Sequence, residues 1–156
     1  MKLYAVMGSN NSRKVLAVAR HLSIELEVEY LDFFDGDLRS NDYMALNPNA
    51  KVPTLVDGDL TLWESNAINM YLADGVPGNT LFPIDRRTRA DISRWLCWEL
   101  AHYNHAFGIL AWETVAKPQF LNLTPNDAVT AYTSELLSQY ANVLNQHMTG
   151  REYAVG

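Results

Sequence analysis

The sequence predicts an α/β domain followed by an all-helical one, and three observations carry that prediction. Up to about residue 75, runs with strand-like alternation are interleaved with apolar residues at helical spacing. A Gly/Pro-rich stretch follows, Gly75-Val76-Pro77-Gly78-Asn79-Thr80 continuing to Pro83, and such residues break both kinds of element. Beyond it there is no strand signal, only helical periodicity. The expected organisation is residues 1–75, a linker at 76–84 and a helical domain at 85–156.

Lys2-Leu3-Tyr4-Ala5-Val6-Met7 reads as a strand and Gly8-Ser9-Asn10-Asn11 as a loop. A helix is expected from Ser12, turning Val15, Leu16, Val18, Ala19 and Leu22 inward. Leu26, Val28 and Tyr30 alternate as a second strand, and Asp35 to Asp42 is a polar loop. Thr54–Val56 and Leu60–Trp63 flank Asp57-Gly58-Asp59, and Asp-Gly between alternating apolar residues is a strong hairpin signal. Pro53 has no N–H, so it suits a strand entrance and is compatible with a cis bond. The N–H and C=O of Val52 are then available to a ligand. Ser65 is expected to cap a helix carrying Ala67, Ile68, Tyr71 and Leu72.

After the linker, a helix from about Asp85 to Ala116 carries Ile92, Leu96, Leu100, Tyr103, Phe107 and Leu110 on one stripe. At 1.5 Å per residue it would run about 48 Å, with a bend near Gly108 and an end before Pro118. A second helix is expected to open at Thr124-Pro125-Asn126-Asp127, with proline at its first position. It turns Val129, Tyr132, Leu136, Tyr140, Val143 and Leu144 inward and stops near Thr149-Gly150.

Composition narrows the function classes. A hydrophobic share of 48% supplies a packed core, and a net charge of -6 argues against nucleic acid as a partner. No apolar run is long enough to span a membrane, and Met1-Lys2-Leu3 leads straight into a strand without a signal peptide. The expected compartment is the cytoplasm. The single cysteine, Cys97, cannot form an internal disulfide and reads as a packing residue, with a partly exposed, redox-sensitive thiol as its other reading. Arg86, Arg87 and Arg89 read as a solvated helix start. His102 and His105 are three apart on one helix, but a metal site needs three or four ligands and no others are evident, so no metal is expected.

The chemistry concentrates in two places. Unpaired N–H groups at the helix start by Ser65 welcome a carboxylate, Glu64 an adjacent ammonium, and the Val52 backbone a peptide unit. Together they suit an α-amino-acid head group joined to a peptide. The order strand, polar loop, helix N-terminus at the start of the chain is where a thioredoxin-like fold keeps its chemistry, because backbone N–H groups and the helix dipole favour a thiolate. Here Ser9-Asn10-Asn11-Ser12 stands in place of Cys-x-x-Cys, so any thiol must come from the ligand.

Asn47-Pro48-Asn49-Ala50-Lys51-Val52-Pro53-Thr54-Leu55, followed by Leu62-Trp63-Glu64-Ser65-Asn66-Ala67-Ile68, resembles the glutathione-binding half of the cytosolic glutathione transferases, of the bacterial, serine-type kind. The resemblance implies a thioredoxin-like domain followed by an all-helical one, with glutathione as co-substrate. It implies a cis Val52–Pro53 bond, backbone pairing of Val52 with the cysteinyl part of glutathione, Glu64 and Ser65 on the γ-glutamyl end, and Lys51 facing the glycyl carboxylate. Ser9 matches, by its distance ahead of Arg13-Lys14-Val15, the hydroxyl that hydrogen-bonds the glutathione sulfur. Such a bond lowers the thiol pKa from about 8.5.

Ser12 is the rival donor, and its other reading is a helix N-cap; the other reading of Ser9 is a turn residue. Tyr43 stands where some plant-type members carry a histidine near the glycyl carboxylate, and Ala50 replaces a frequent glycine; Lys51 reads equally as a solvated lysine, and Arg39 as a solvated loop residue before an aid to that carboxylate. Trp95, Trp98, His102, Tyr103 and Phe107 are candidates to line a second-substrate pocket, although an aromatic stripe at helical spacing is usually core. Family members form homodimers and continue beyond the equivalent of residue 156 into a buried helix, so the helical domain reads as truncated, with apolar faces uncovered. The implied function is a glutathione transferase attacking a small, electrophilic, largely apolar substrate. Two alternatives stand beside it: a non-catalytic protein-binding module on the same fold, and a glutathione-dependent isomerase or dehalogenase.

Overall fold

Four strands form one mixed sheet in the computed structural model, which describes residues 1–156. They are β1 (Lys2–Ala5), β2 (Glu27–Tyr30), β3 (Thr54–Asp57) and β4 (Leu60–Trp63), in the spatial order β2-β1-β3-β4. β1 and β2 are parallel, and the crossover that a parallel pair requires is α1 (Asn10–His21). β3 runs antiparallel to β1 and closes a hairpin with β4 across Gly58 at φ 60. α3 (Ser65–Asp74) packs on α1 and completes this unit's core. Leu3, Val15, Ala19, Leu55, Ile68 and Leu72 form that core, none more than 4% exposed. Each large aliphatic among them contributes about 1.5–3 kcal/mol by leaving water.

The chain divides into two compact units, Met1–Pro83 and Ile84–Gly156. Within the first, β1 stops at Ala5 instead of reaching Met7, because the Val6 carbonyl turns to accept the Ser9 N–H at 3.1 Å and Met7 is left exposed. The expected polar loop contains a 3-10 turn at Asp37–Arg39 and a short helix, α2 (Asn41–Leu46), capped by Ser40, which accepts the Tyr43 N–H at 3.3 Å. Six residues are too few for helical periodicity to stand out in a sequence.

In the second unit, α4 (Arg86–Trp98), α5 (Asn104–Ala111) and α6 (Lys117–Phe120) follow one another through π-helical segments at Glu99–Tyr103 and Trp112–Ala116. The helical run therefore continues through Pro118. The Lys117 N–H bonds the Trp112 carbonyl five residues back, and this wider turn puts Pro118 in the first turn of α6, where a missing N–H costs least. The departures from α geometry lie at these two segments and not at Gly108, which sits inside α5. α7 (Asp127–Met148) packs on α5 and starts later than expected. Asn126 is its cap, accepting the Val129 N–H at 3.2 Å, and Pro125 lies outside the helix.

Of the buried apolar side chains, only Ala106 lies beyond Pro83. Leu100, Trp112, Val115, Phe120 and Val143 are each at least 40% exposed. Cys97 is exposed instead of packed, since α4 turns Trp95 and Trp98 toward α7 and position 97 falls on its other side. No helix is long and apolar enough to cross a membrane.

Candidate active site

Thr54 faces Tyr4 on one neighbouring strand and Trp63 on the other. The loop leaving β1, the segment entering β3 and the helix start leaving β4 therefore meet at one end of the sheet. These are the segments that carry Ser9, Val52 and Ser65.

Ser9 ends a four-residue turn in which Gly8 has φ 82, a left-handed conformation that glycine enters without penalty. Its hydroxyl caps α1, accepting the Ser12 N–H at 3.2 Å. The cap is thus Ser9, and Ser12 lies within the first turn, 1% exposed, its hydroxyl without a hydrogen-bond partner. The reason is geometric: a cap accepts from the N–H three residues ahead, and only Ser9 has the extended backbone, φ -65 and ψ 120, that this requires. A hydroxyl carries one proton and two acceptor lone pairs. Capping uses an acceptor, so the Ser9 proton stays free for an anion. The first turn of α1 holds no acidic side chain to neutralise its positive end.

At the start of α3, Glu64 takes the N-cap position with φ 74 and ψ 110 and makes no side-chain cap bond. A non-glycine residue in that region carries about 1–3 kcal/mol of strain, a cost typical of ligand-holding positions. Ser65 is accordingly the first helical residue and not the cap, 5% exposed, its hydroxyl 3.4 Å from the Asn11 side-chain oxygen. The first turns of α1 and α3 touch through this pair. Beside it the Lys14 ammonium donates to buried Asn66 at 3.1 Å. Asn11 and Asn66 carry no pattern in the sequence that marks them as contacts. Their one signal was adjacency to Ser12 and Ser65.

The Val52–Pro53 peptide is cis, Pro53 is buried and Val52 is half-buried. No protein hydrogen bond engages the Val52 backbone. The preceding carbonyl is held firmly instead. Lys51 C=O accepts from the Tyr43 hydroxyl at 2.5 Å and from the Asn47 amide at 2.8 Å. The Thr54 hydroxyl joins both, 2.9 Å from Tyr43 and 3.1 Å from Asn47. Burial pushes the Tyr43 hydroxyl above its ordinary pKa, with the Thr54 hydrogen bond opposing the shift. Tyr43 therefore points inward and does not face a bound carboxylate, because an unpaired phenol in this buried place would be costly. Ala50 has φ 51, which explains the preference for glycine there. The Lys51 side chain and Arg39 are both exposed.

The aromatic set of the helical unit packs largely on itself. Trp95 lies 4.3 Å from the His147 ring, while Trp98 and His102 lie 6.3 Å and 5.3 Å from Tyr140. Tyr103 is 6.1 Å from Trp98, and Phe107 is half-buried on α5. No group of three or more His, Cys, Asp or Glu side chains is arranged to hold a metal ion.

Comparison with known proteins places this geometry in context. The glutathione S-transferase N-terminal domain family matches residues 1–74. Glutathione S-transferase 3 of Zea mays is 31% identical over 158 residues, an alignment covering all of this chain and 70% of the maize protein. Glutathione transferase F7 of Populus trichocarpa shares the fold with a TM-score of 0.88 at 24% identity, over 98% of this chain and 73% of that one. A glutathione transferase of Phanerochaete chrysosporium, solved with oxidised glutathione, superposes with a TM-score of 0.87 at 26% identity, over 99% and 71% of the two chains. The likeness extends from the sheet through the helical unit, and by it the chain belongs to the cytosolic glutathione S-transferase family, a family of enzymes.

Proposed function

We propose that the protein is a serine-type glutathione transferase in which Ser9 stabilises the glutathione thiolate for attack on a small, electrophilic, largely apolar substrate. The observation that carries this reading is the meeting, at the Thr54 end of the sheet, of a capping hydroxyl with a free proton, an unengaged Val52 backbone and the touching first turns of α1 and α3. An anion there meets two helix N-termini, and that of α1 has no acidic side chain in its first turn to compete with it. In this reading the Val52 N–H and C=O pair with the cysteinyl unit, Ser65 and Glu64 take the γ-glutamyl carboxylate and ammonium, and Lys51 takes the glycyl carboxylate.

Ser9 donates its proton to the sulfur while it accepts from the helix, and the accepted bond polarises the hydroxyl into a better donor. The thiolate population near neutral pH rises, and holding nucleophile and electrophile together supplies much of the remaining acceleration. The working form is a cytoplasmic homodimer.

The test is glutathione binding by calorimetry on the wild type and Ser9→Ala, followed by ultraviolet titration of the bound thiolate. The bound thiol is expected to ionise below the free value of about 8.5 and to shift upward by about one unit or more in the variant. A folded protein that does not bind glutathione would refute the proposal.

A further inference from the structure

We infer that Tyr43 and Asn47 are positioning residues that aim the Val52 backbone at its ligand. The inference rests on the glutathione-binding reading above and concerns how the protein prepares that contact. A trans peptide is planar, so its C=O and N–H point in opposite directions. Lys51 C=O and Val52 N–H belong to one such peptide, because the only cis bond nearby is the next one, Val52–Pro53. Whatever holds the Lys51 oxygen inward therefore turns the Val52 N–H outward.

The hydrogen-bond pattern leaves one self-consistent arrangement of protons. Tyr43 has a single proton and donates it to Lys51 C=O, so between the Tyr43 and Thr54 hydroxyls it is Thr54 that donates. The two protons of the Asn47 amide go to Lys51 C=O and to Thr54. Both lone pairs of the Lys51 carbonyl are occupied and every donor is used. Tyr43, Asn47 and Thr54 are 4%, 2% and 0% exposed, so water does not compete for these bonds. The Tyr43 ring is also braced by Tyr4, at 5.8 Å between centroids. Against this rigid backing the Val52 amide is preset, and the ligand does not have to order it on binding.

The test compares Tyr43→Phe, which keeps the ring and removes the donor to Lys51 C=O, with Thr54→Val, which breaks the far side of the network and leaves that donor in place. Both variants are expected to melt at lower temperature. Tyr43→Phe is expected to weaken glutathione binding and raise its KM roughly fivefold to tenfold, with kcat at saturating glutathione within about twofold, as loss of one hydrogen bond used in positioning implies. Thr54→Val is expected to bind glutathione within about twofold of the wild type. Unchanged binding by Tyr43→Phe, or equal weakening by both variants, overturns the inference and leaves the network purely structural. If the wild type itself does not bind glutathione, both this inference and the function it rests on fall; if it binds and only the variant comparison fails, the function stands.

Discussion

In the proposed function Ser9 combines two roles that a single substitution to alanine cannot separate. Its hydroxyl caps α1, and replacing a serine cap by alanine costs about 1 kcal/mol, whereas glycine costs only a few tenths. Ser9→Gly should therefore keep nearly the wild-type urea midpoint while losing the lowered pKa of bound glutathione; a thiolate titration unchanged in that variant would remove Ser9 from the chemistry. Ala50 is a second residue whose backbone decides its preference. At φ 51 it bears about 1–2 kcal/mol of left-handed strain. Glycine relieves this but gains unfolded-state freedom worth about 0.4–1 kcal/mol. Ala50→Gly should therefore stabilise by about 0.5–1 kcal/mol, read as a raised urea midpoint, and a lowered midpoint would show that the strain is absorbed elsewhere. Tyr43 supplies a pH signature. Its folded pKa lies above the ordinary value of 10.0 because the hydroxyl is buried. The folded state thus binds the proton more tightly than the unfolded one, and this contribution is complete below about pH 10 and lost as pH rises through the folded value. Wild-type stability should fall more steeply above pH 10 than that of Tyr43→Phe; parallel curves for the two would contradict this.

At the scale of elements, the start of α7 depends on a residue in another helical segment. Glu113, buried in the segment Trp112–Ala116, receives the Lys117 ammonium at 2.6 Å and the Asn126 N–H at 2.7 Å. The Lys117 contact first, and the Asn126 bond second, hold its carboxyl below the ordinary range. A depressed folded pKa contributes stability that is present above the unfolded value near 4.5 and is lost as pH falls through the folded one. Acidification should therefore loosen the α7 start, seen as faster amide exchange at Asp127 to Val129, and Glu113→Gln should show that looseness already at neutral pH. Equal exchange in variant and wild type would count against the tie. None of this was legible in the sequence, where Thr124-Pro125-Asn126-Asp127 reads as a proline-led start. The competing information is a long-range acceptor, which no local pattern announces.

Across the whole molecule, apolar burial is uneven. Leu3, Val15, Leu55, Ile68 and Leu72 are essentially inaccessible, while beyond Pro83 the buried side chains are Ala106, Glu113 and Thr133. Regions with few buried apolar contacts open at lower free energy. Amides of β1 and β3 should consequently exchange far more slowly than those of α4 to α7, and uniform protection along the chain would contradict this reading of the core.

The class of the fold was legible in the sequence alone, and so was the pair of motifs on which the proposed site rests. Strand alternation, the Asp57-Gly58 turn, the helical stripes and the succession of Val52-Pro53 and Glu64-Ser65 across one hairpin are signals written along a continuous stretch of chain. Tertiary structure decided what each polar group binds. That Ser9 rather than Ser12 is the cap, and that Glu64 rather than Ser65 holds the N-cap position, follow from the backbone conformation at the two helix starts, whereas Tyr43 turns inward on Lys51 because burial brings that acceptor within reach. A buried polar group must find a partner or bear a large cost, and its partner is chosen by packing between elements distant in the chain.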